Sequence, residues 1–182
     1  MKKLLLSFAI VVGLGLAANA QTEGPVHKIS IGPDFIYPFG LAADSYNIGY
    51  GGSVMGEYNI AKKLNLTASV GFTMLSYKKE VKALFTDLKN DVYYPIKLGA
   101  KYYFGPVYAG ADAGIGLSLK DNRNSSFAFS GTVGKTFSVS PKSSVDVGIR
   151  YEGWSMYREQ EGVTLIDNYS FAGIRLAYAF GL

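Results

Sequence analysis

The chain has 182 residues, contains 22 Gly, 14 Tyr and 11 Phe, and lacks cysteine, so no disulfide can form. Charged residues make up only 18% of the chain, with a formal net charge of +4. The basic residues are scattered along the sequence, which excludes the clustered basic surface of a nucleic-acid-binding protein. One domain of ordinary size is expected.

The first twenty residues have the three parts of an export signal: a charged start, an apolar core and an Ala18-Asn19-Ala20 cleavage site. We therefore predict a signal peptide at residues 1–20 and a single folded domain at residues 21–182. After the signal, no apolar run is long enough for a transmembrane helix. A membrane crossing by this chain must therefore use strands.

Eight segments after the signal alternate apolar and polar residues with the two-residue period of a β-strand. Each is long enough for a tilted strand to cross a bilayer, which takes roughly 9 to 11 residues. Because Pro33 cannot donate a ladder hydrogen bond, we expect a bulge or register change at Gly32 and Pro33. The predicted strands are residues 28–39, 47–60, 64–77, 93–104, 107–119, 127–139, 144–156 and 169–180.

The connections alternate in length. Tight turns fall near Ala61, Gly105 and Pro141, and longer loops lie between them. In transmembrane barrels the short turns face the periplasm and the long loops face outwards. The pattern predicts an all-β fold, an eight-stranded antiparallel up-and-down transmembrane β-barrel. Its predicted outer loops are residues 40–46, 78–92, 120–126 and 157–168.

The polar faces of the strands combine balanced charge with many glycines. A water-facing surface gains nothing from glycine, whereas a narrow eight-stranded lumen needs small residues beside large ones. Enclosed charges must be paired, which explains the equal numbers of each sign. We predict a salt-bridged plug, with a narrow ion path as the alternative. The predicted lumen charges are Lys28, Asp34, Glu57, Lys97, Lys101, Asp112, Asp146, Arg150, Glu152 and Arg175.

Three local expectations accompany this network. Lys101 and Asp112 lie on adjacent strands near the Gly105 turn, which predicts a cross-strand contact. Asp34 and Arg175 become neighbours when the first and last strands meet. Lys135 falls on the apolar face of its strand, and we expect its ammonium group to reach the periplasmic interface.

The longest loop, residues 78–92, carries Val81, Leu84, Phe85 and Leu88 at helical spacing. The spacing predicts a short helix or an extended hairpin that packs on neighbouring loops. The alternative is an apolar interaction patch for a ligand, a lipid or a host surface.

The closing segment ends in Arg175-Leu176-Ala177-Tyr178-Ala179-Phe180. With the cleavage site and the eight amphipathic strands, this ending resembles small eight-stranded outer-membrane β-barrel proteins of Gram-negative bacteria. These include the OmpA-like and OmpX-like proteins and the porin-family β-barrel domains of the Bacteroidota type.

The resemblance implies insertion by the barrel assembly machinery, with Tyr178 and Phe180 as the assembly signal. It also implies contact with outer-membrane lipid and lipopolysaccharide in the bacterial outer membrane. The family signal normally stops at its aromatic residue, whereas Gly181 and Leu182 follow here.

Some eight-stranded relatives are enzymes that modify lipid A, and these need a histidine at the outer rim. The single histidine, His27, precedes the first strand and belongs at the periplasmic end. We predict a monomeric structural barrel without enzymatic activity, cofactor, metal or nucleic-acid partner, with outer loops for surface interaction or adhesion to an unidentified host or surface ligand. A narrow pore or small-solute transporter is the alternative, and a lipid A-modifying enzyme is less favoured.

Overall fold

The computed structural model describes residues 27–84, 88–118, 125–160 and 163–182. Each strand pairs antiparallel with the next, and the last pairs with the first to close a barrel. The predicted eight-stranded all-β fold is therefore confirmed. The strands are β1 (Lys28–Phe39), β2 (Tyr46–Ala61), β3 (Leu64–Tyr77), β4 (Asp91–Phe104), β5 (Val107–Ser118), β6 (Ser126–Ser140), β7 (Ser143–Gln160) and β8 (Val163–Gly181).

Two short helices lie in the connections at one end of the barrel. Helix α1 (Leu41–Ser45) joins β1 to β2, and α2 (Lys79–Leu84) follows β3. The tight β2–β3, β4–β5 and β6–β7 turns lie at the opposite end, where Gly105 has a φ of 75° that favours glycine. Within the described residues, no helix is long and apolar enough to cross a membrane.

The apolar faces of the strands point away from the barrel axis. On β4, for example, Leu98 is 68% exposed while its neighbour Lys97 is only 5% exposed. A water-soluble barrel would show the opposite arrangement, with its apolar side chains inside and its polar side chains facing the solvent. The exposed apolar band fits the hydrocarbon of a bilayer.

The expected bulge at Gly32 and Pro33 is wrong. β1 keeps one continuous register with β2 through both residues, and its pairing with β8 skips only these two positions before resuming in the same register. A Cβ at Gly32 would collide with the backbone oxygen of Leu176, so the chains approach closely there. Because Pro33 has no backbone N–H, the β1–β8 ladder is interrupted at this point. The pairs on both sides of the interruption keep the same register.

The expected outer loop at residues 157–168 is also wrong, because residues 157–160 and 163–168 extend β7 and β8. The two strands pair without interruption up to Gln160 and Val163. This segment lacks the alternation of apolar and polar residues because it lies beyond the bilayer, where neither face needs to be apolar.

The extended part of the hairpin projects beyond the neighbouring strands. β6 pairs with β7 only as far as Met156, and β1 pairs with β8 only as far as Ser170. The projecting part, called here the β7–β8 ribbon, comprises residues 157–160 and 163–169. At roughly 3.4 Å per residue, it extends about 14 Å past β6 and about 24 Å past β1.

β8 continues to Gly181, one residue past the predicted strand end at Phe180. The backbone N–H of Gly181 donates to the carbonyl of Lys142 at 2.7 Å, and that of Leu182 donates to the carbonyl of His27 at 2.9 Å. These bonds hold the end of the closing strand against the β6–β7 turn and the start of β1. The predicted signal peptide, residues 1–20, lies outside the described residues, so the boundary at residue 21 stays a prediction.

Candidate functional site

All ten predicted lumen charges lie on the inner face of the barrel, in two layers that are each electrically neutral. Eight of the ten residues are at most 8% exposed, and the side chains of Asp112 and Arg150 are 13% and 11% exposed. Near the tight turns lies the basal layer, Lys28, Glu57, Lys101 and Asp146; further out lies the central layer, Asp34, Lys97, Asp112, Arg150, Glu152 and Arg175.

Glu57 is the centre of the basal layer. Its carboxylate accepts hydrogen bonds from Lys101 Nζ at 2.7 Å, Tyr103 Oη at 2.6 Å and Asn65 Nδ2 at 3.0 Å. Asp146 approaches the same ammonium group, with Oδ2 3.8 Å from Lys101 Nζ. Because these groups come from β2, β3, β4 and β7, the layer joins strands that are not neighbours in the barrel.

Two tyrosine rings fill the space beside the basal lysines. Lys101 Nζ lies 4.4 Å from the centre of the Tyr108 ring, and Lys28 Nζ lies 4.9 Å from that of Tyr103, which are cation–π distances. Tyr108 fits only because residue 134 is glycine, since a Cβ at Gly134 would collide with the phenol ring. Glycine on the inner face therefore makes room for a large neighbour, as the sequence predicts.

In the central layer, Glu152 accepts hydrogen bonds from Lys97 and Trp154 and forms a further ion pair with Arg150. Lys97 Nζ lies 3.3 Å from its Oε1, Arg150 Nε lies 3.0 Å from its Oε2, and Trp154 Nε1 donates to Oε1 at 2.7 Å. Lys97 also pairs with Asp112 at 3.0 Å. The carboxylate thus links two cations to the only tryptophan of the chain.

Asp34 organises the other side of the central layer. It lies 3.4 Å from Arg150 Nη1, accepts a hydrogen bond from Ser53 Oγ at 2.7 Å, and lies 4.0 Å from Arg175 Nε. Arg175 Nε in turn donates to Ser53 Oγ at 3.0 Å. Asp34 and Arg175 are thus neighbours, as expected from closure of the barrel.

The expected contact between Lys101 and Asp112 is wrong. In the β4–β5 register, Lys101 lies opposite Gly110 and Asp112 lies opposite Gly99. Lys101 instead reaches across the lumen to Glu57. Which charges pair in this network therefore depends on how far side chains reach across the lumen, as well as on which strands are neighbours.

Above the charged layers, an aromatic cap covers the end of the lumen opposite the tight turns. The indole ring of Trp154 packs edge-on against Tyr93 at 4.9 Å and against Phe171 at 5.7 Å between ring centres. This layer is not among the expectations drawn from the sequence, although large apolar residues at inward positions near the outer ends of the strands are a usable signal. The aromatic cap comprises Ile36, Ala42, Tyr46, Leu75, Tyr77, Tyr93, Ala128, Trp154 and Phe171.

A buried carboxylate ties the cap together. Asp91 Oδ2 accepts hydrogen bonds from Tyr46 Oη and Tyr77 Oη, both at 2.6 Å. These residues come from β2, β3 and β4, and α1 places Ala42, with no exposed surface, into the same cluster. These contacts thereby hold the β1–β2 connection and the two ends of the β3–β4 connection together over the end of the barrel.

Tyr77→Phe is expected to lower the free energy of unfolding by about 1.5 to 3 kcal/mol, because it removes a buried hydrogen bond to a carboxylate. Tyr94→Phe removes a lipid-facing phenol oxygen and is the control, with an expected effect within about 0.5 kcal/mol. Urea unfolding in lipid vesicles measures both. Equal losses in the two variants would contradict the role given to Asp91.

A cavity of about 30 Å³ lies within the central layer, and Ser53, Ser69, Lys97, Asp112 and Arg150 are among the residues that line it. That volume accommodates about two water molecules. In the described part of the chain, no group of three or more His, Cys, Asp and Glu side chains is arranged to hold a metal ion.

A family comparison assigns this architecture. The model of the outer membrane protein β-barrel domain matches residues 7–180. The chain belongs to this family. The narrower resemblance to the Bacteroidota type stays a prediction.

Solved outer-membrane barrels have similar folds at low sequence identity. Neisserial surface protein A is 17% identical, with 86% of this chain and 97% of that chain covered and a TM-score of 0.59. Ail, the attachment invasion locus protein of Yersinia pestis, is 16% identical, with coverages of 88% and 100% and a TM-score of 0.54. AlkL, solved in lipid bilayers, is 11% identical, with coverages of 91% and 94% and a TM-score of 0.55.

A comparison with curated protein sequences finds no match. At the identities of the solved structures, the likeness shows the fold alone. The family match places the protein in the bacterial outer membrane, in contact with membrane lipid. The predicted location is thus confirmed, and the tight turns of this outer-membrane barrel face the periplasm.

The predicted loop patch is divided in this outer-membrane barrel. Val81 and Leu88 are partly buried against the aromatic cap, whereas Leu84 is 78% exposed. Helix α2 ends at Leu84, and Phe85 lies outside the described residues. Val81 and Leu88 therefore pack on a neighbouring part of the barrel, as the first of the two interpretations predicts. The binding role of the patch stays a prediction.

His27 lies at the periplasmic end, where its Nδ1 accepts a hydrogen bond from the backbone N–H of Asn59 at 3.1 Å. Its ring stacks on Tyr58 with ring centres 4.5 Å apart. The predicted placement of His27 at the end opposite the outer rim is therefore correct, and the absence of enzymatic activity stays a prediction.

The predicted assembly residues Tyr178 and Phe180 both face outward on β8, 39% and 49% exposed, with ring centres 4.8 Å apart. Their role in assembly stays a prediction.

Lys135 Nζ lies 5.0 Å from the centre of the Phe137 ring. Because Phe137 is closer to the periplasmic turn, the lysine side chain runs towards that interface, as expected for this outer-membrane barrel.

Proposed function

We propose that this protein is a plugged outer-membrane anchor that presents the β7–β8 ribbon to molecules outside the cell. The observation that carries the proposal is the projection of the ribbon past β6 and β1, at the end of the barrel where the aromatic cap lies. A barrel whose interior is filled has its accessible surface in its extracellular elements.

The composition of the lumen supports the plug. Each charged layer is neutral, and Glu57, Asp34 and Glu152 each hold partners from other strands. An ion entering the lumen would have to displace these pairs in a barrel whose interior is only wide enough for side chains. A narrow pore or small-solute transporter remains the alternative, and it requires the aromatic cap to move.

The construction of the ribbon supports presentation. At its base Ser155 Oγ donates to Asn168 Oδ1 at 2.7 Å, and Ile166 is 56% exposed above the barrel. The continuous β7–β8 ladder gives the ribbon a defined shape, which lowers the entropic cost of binding a partner. By their names, the structurally similar Neisserial surface protein A is a surface protein and Ail an attachment protein.

The proposal is tested by shortening the ribbon. Replacing residues 157–166 by Asn-Gly joins Met156 directly to Asp167, its partner in the β7–β8 register, through a two-residue turn. Cells displaying the shortened protein are expected to attach to epithelial monolayers at least about fivefold less than cells displaying the intact protein, because a hot-spot surface is removed. The measurement is the number of attached cells per field.

Deletion of residues 79–89 is the matched control. It removes α2 and the following loop but leaves the ribbon intact, and it should preserve both folding and attachment. Heat-modifiable gel mobility establishes that each variant is folded. Attachment that survives ribbon shortening, or that is no greater for the intact protein than for cells without it, overturns the proposal.

A further inference from the structure

One edge of the β7–β8 ribbon has no neighbouring strand in the described part of the chain. β1 stops pairing with β8 at Phe39, whose partner is Ser170, because Gly40 has a φ of 58° and turns the chain into α1. Beyond this point, the described pairing of β8 is with β7 and continues to Val163. The segment from Val163 to Tyr169 is therefore the edge of a two-stranded sheet, called here the β8 edge.

The alternation of hydrogen bonds along β8 identifies which backbone groups point outwards from the β8 edge. At the periplasmic end of the strand, the backbone N–H of Gly181 donates to the β6–β7 turn, and that of Leu182 donates to the residue before β1. Odd-numbered residues of β8 thus bond to β7 and even-numbered residues face β1, and the β7–β8 register has no shift that would reverse this order. In the β8 edge, the N–H and C=O groups of Thr164, Ile166 and Asn168 therefore point away from β7.

The β8 edge is accessible and lacks the features that commonly block pairing with another chain. Ile166 is more than half exposed, and Asn168 is exposed beside it on the same face. Natural edge strands often carry proline, lysine or a bulge, and the segment Val163–Tyr169 has none of these. Most of its residues are of types that favour strands, so the edge is suited to accept a further strand.

We propose that the β8 edge binds an extended peptide segment of a protein outside the cell, which adds a third strand to the β7–β8 ribbon. This inference rests on the proposed function and names the class of partner and the way it binds. Three residues that each present an N–H and a C=O at a two-residue spacing match the backbone of another strand, whereas a glycan has no such repeat. The partner residue opposite Ile166 lies on the same face of the sheet, so an apolar side chain is favoured there.

The test removes one outward donor and leaves the ladder to β7 intact. Ile166→Pro removes an N–H that faces the incoming strand, and proline is tolerated on an edge strand where the N–H points away from the sheet. Ile166→Ala is the matched control, because it removes the same side chain but keeps the N–H. Cells that display Ile166→Pro are expected to attach to epithelial monolayers at least about fivefold less than cells that display Ile166→Ala.

Amide hydrogen exchange of the purified protein in lipid nanodiscs tests the geometry of the β8 edge directly. In the intact protein, the N–H groups of Thr164, Ile166 and Asn168 should exchange at least about tenfold faster than that of Leu165, which faces β7. Leu165 should keep its protection in Ile166→Pro, which establishes that the ribbon is still formed. If that protection is lost, Thr164→Pro and Thr164→Ala repeat the comparison at the next outward position. Equal exchange of odd- and even-numbered residues in the intact protein would overturn the inference.

The attachment results separate the way of binding from the proposed function. Attachment that is lost on ribbon shortening but is equal in Ile166→Pro and Ile166→Ala overturns the role of the β8 edge and leaves presentation by the ribbon standing. Attachment that survives ribbon shortening overturns both.

Treatments of the monolayer identify the class of partner. Protease digestion is expected to abolish attachment, and periodate oxidation of surface glycans is expected to leave it unchanged. The reverse result would assign a glycan partner and overturn the inference. Clumping of the displaying cells in suspension that Ile166→Pro abolishes would assign the β8 edge to a second copy of this chain, which also overturns it.

Discussion

Glu152→Ala is expected to lower the free energy of unfolding by about 3 to 5 kcal/mol, the range for breaking a buried ion pair by removing one partner. The substitution leaves Lys97 and Arg150 with one carboxylate partner each from the present network, and it removes the acceptor of Trp154 Nε1. The central layer then carries one uncompensated positive charge inside the barrel. Urea unfolding in lipid vesicles, followed by heat-modifiable gel mobility, measures the loss.

The charge balance makes this prediction specific. Combining Lys97→Met with Glu152→Leu removes one charge of each sign and should recover part of the loss, since well-packed apolar residues can replace a buried ion pair at little cost. Asp44→Asn removes an exposed carboxylate at the extracellular end and should change stability by less than about 0.5 kcal/mol. If Glu152→Ala were no more costly than Asp44→Asn, the neutral-layer account of the lumen would be wrong.

Trp154→Ala is expected to lower the free energy of unfolding by about 3 to 5 kcal/mol, because truncating a buried aromatic leaves a cavity in the cap. Trp154 is 2% exposed and contacts both Tyr93 and Phe171, so few neighbours are free to collapse into the space. Trp154→Phe retains a ring but loses the hydrogen bond to Glu152, and an intermediate loss of about 1 to 3 kcal/mol is expected. The same vesicle unfolding assay ranks the three proteins.

Bilayer conductance of the intact protein and of Trp154→Ala also distinguishes the plug from the pore. In planar bilayers the intact protein should form no steady channels, and Trp154→Ala should remain closed because the two charged layers below the cap still fill the lumen. Steady channels of defined size from the intact protein would contradict the plug and favour the transport alternative. Channels that appear only in Trp154→Ala would assign closure to the cap alone.

The proposed plug directs the search for function to the surface of the barrel. The charged layers and the aromatic cap are expected to stabilise the barrel, and the β7–β8 ribbon is the surface that we propose for partners outside the cell.

Local pattern was sufficient for most of the architecture. The two-residue period places neighbouring side chains such as Lys97 and Leu98 on opposite faces of a strand whatever surrounds it. The alternation of short and long connections likewise indicates antiparallel neighbours and the orientation of the barrel. Inward charge, inward glycine and the outward path of Lys135 follow from these two properties.

The ribbon and the cap could not be derived in the same way. Residues 157–160 and 163–168 lie beyond the bilayer, where both faces of a strand have the same environment, so their sequence does not alternate. Only the β7–β8 ladder identifies them as strand. The cap residues come from the outer ends of seven strands and from α1. Their contact depends on how those ends converge over the mouth.

The sequence by itself thus determined the fold class, the faces of the strands and the set of charges enclosed in the lumen, because these depend on properties that repeat along the chain. The tertiary structure decided which charges meet. Lys101 reaches Glu57 rather than Asp112, and Glu152 gathers Lys97, Arg150 and Trp154. These choices depend on the registers of all eight strands and on the width of the closed barrel, so that groups distant in sequence become partners across the lumen.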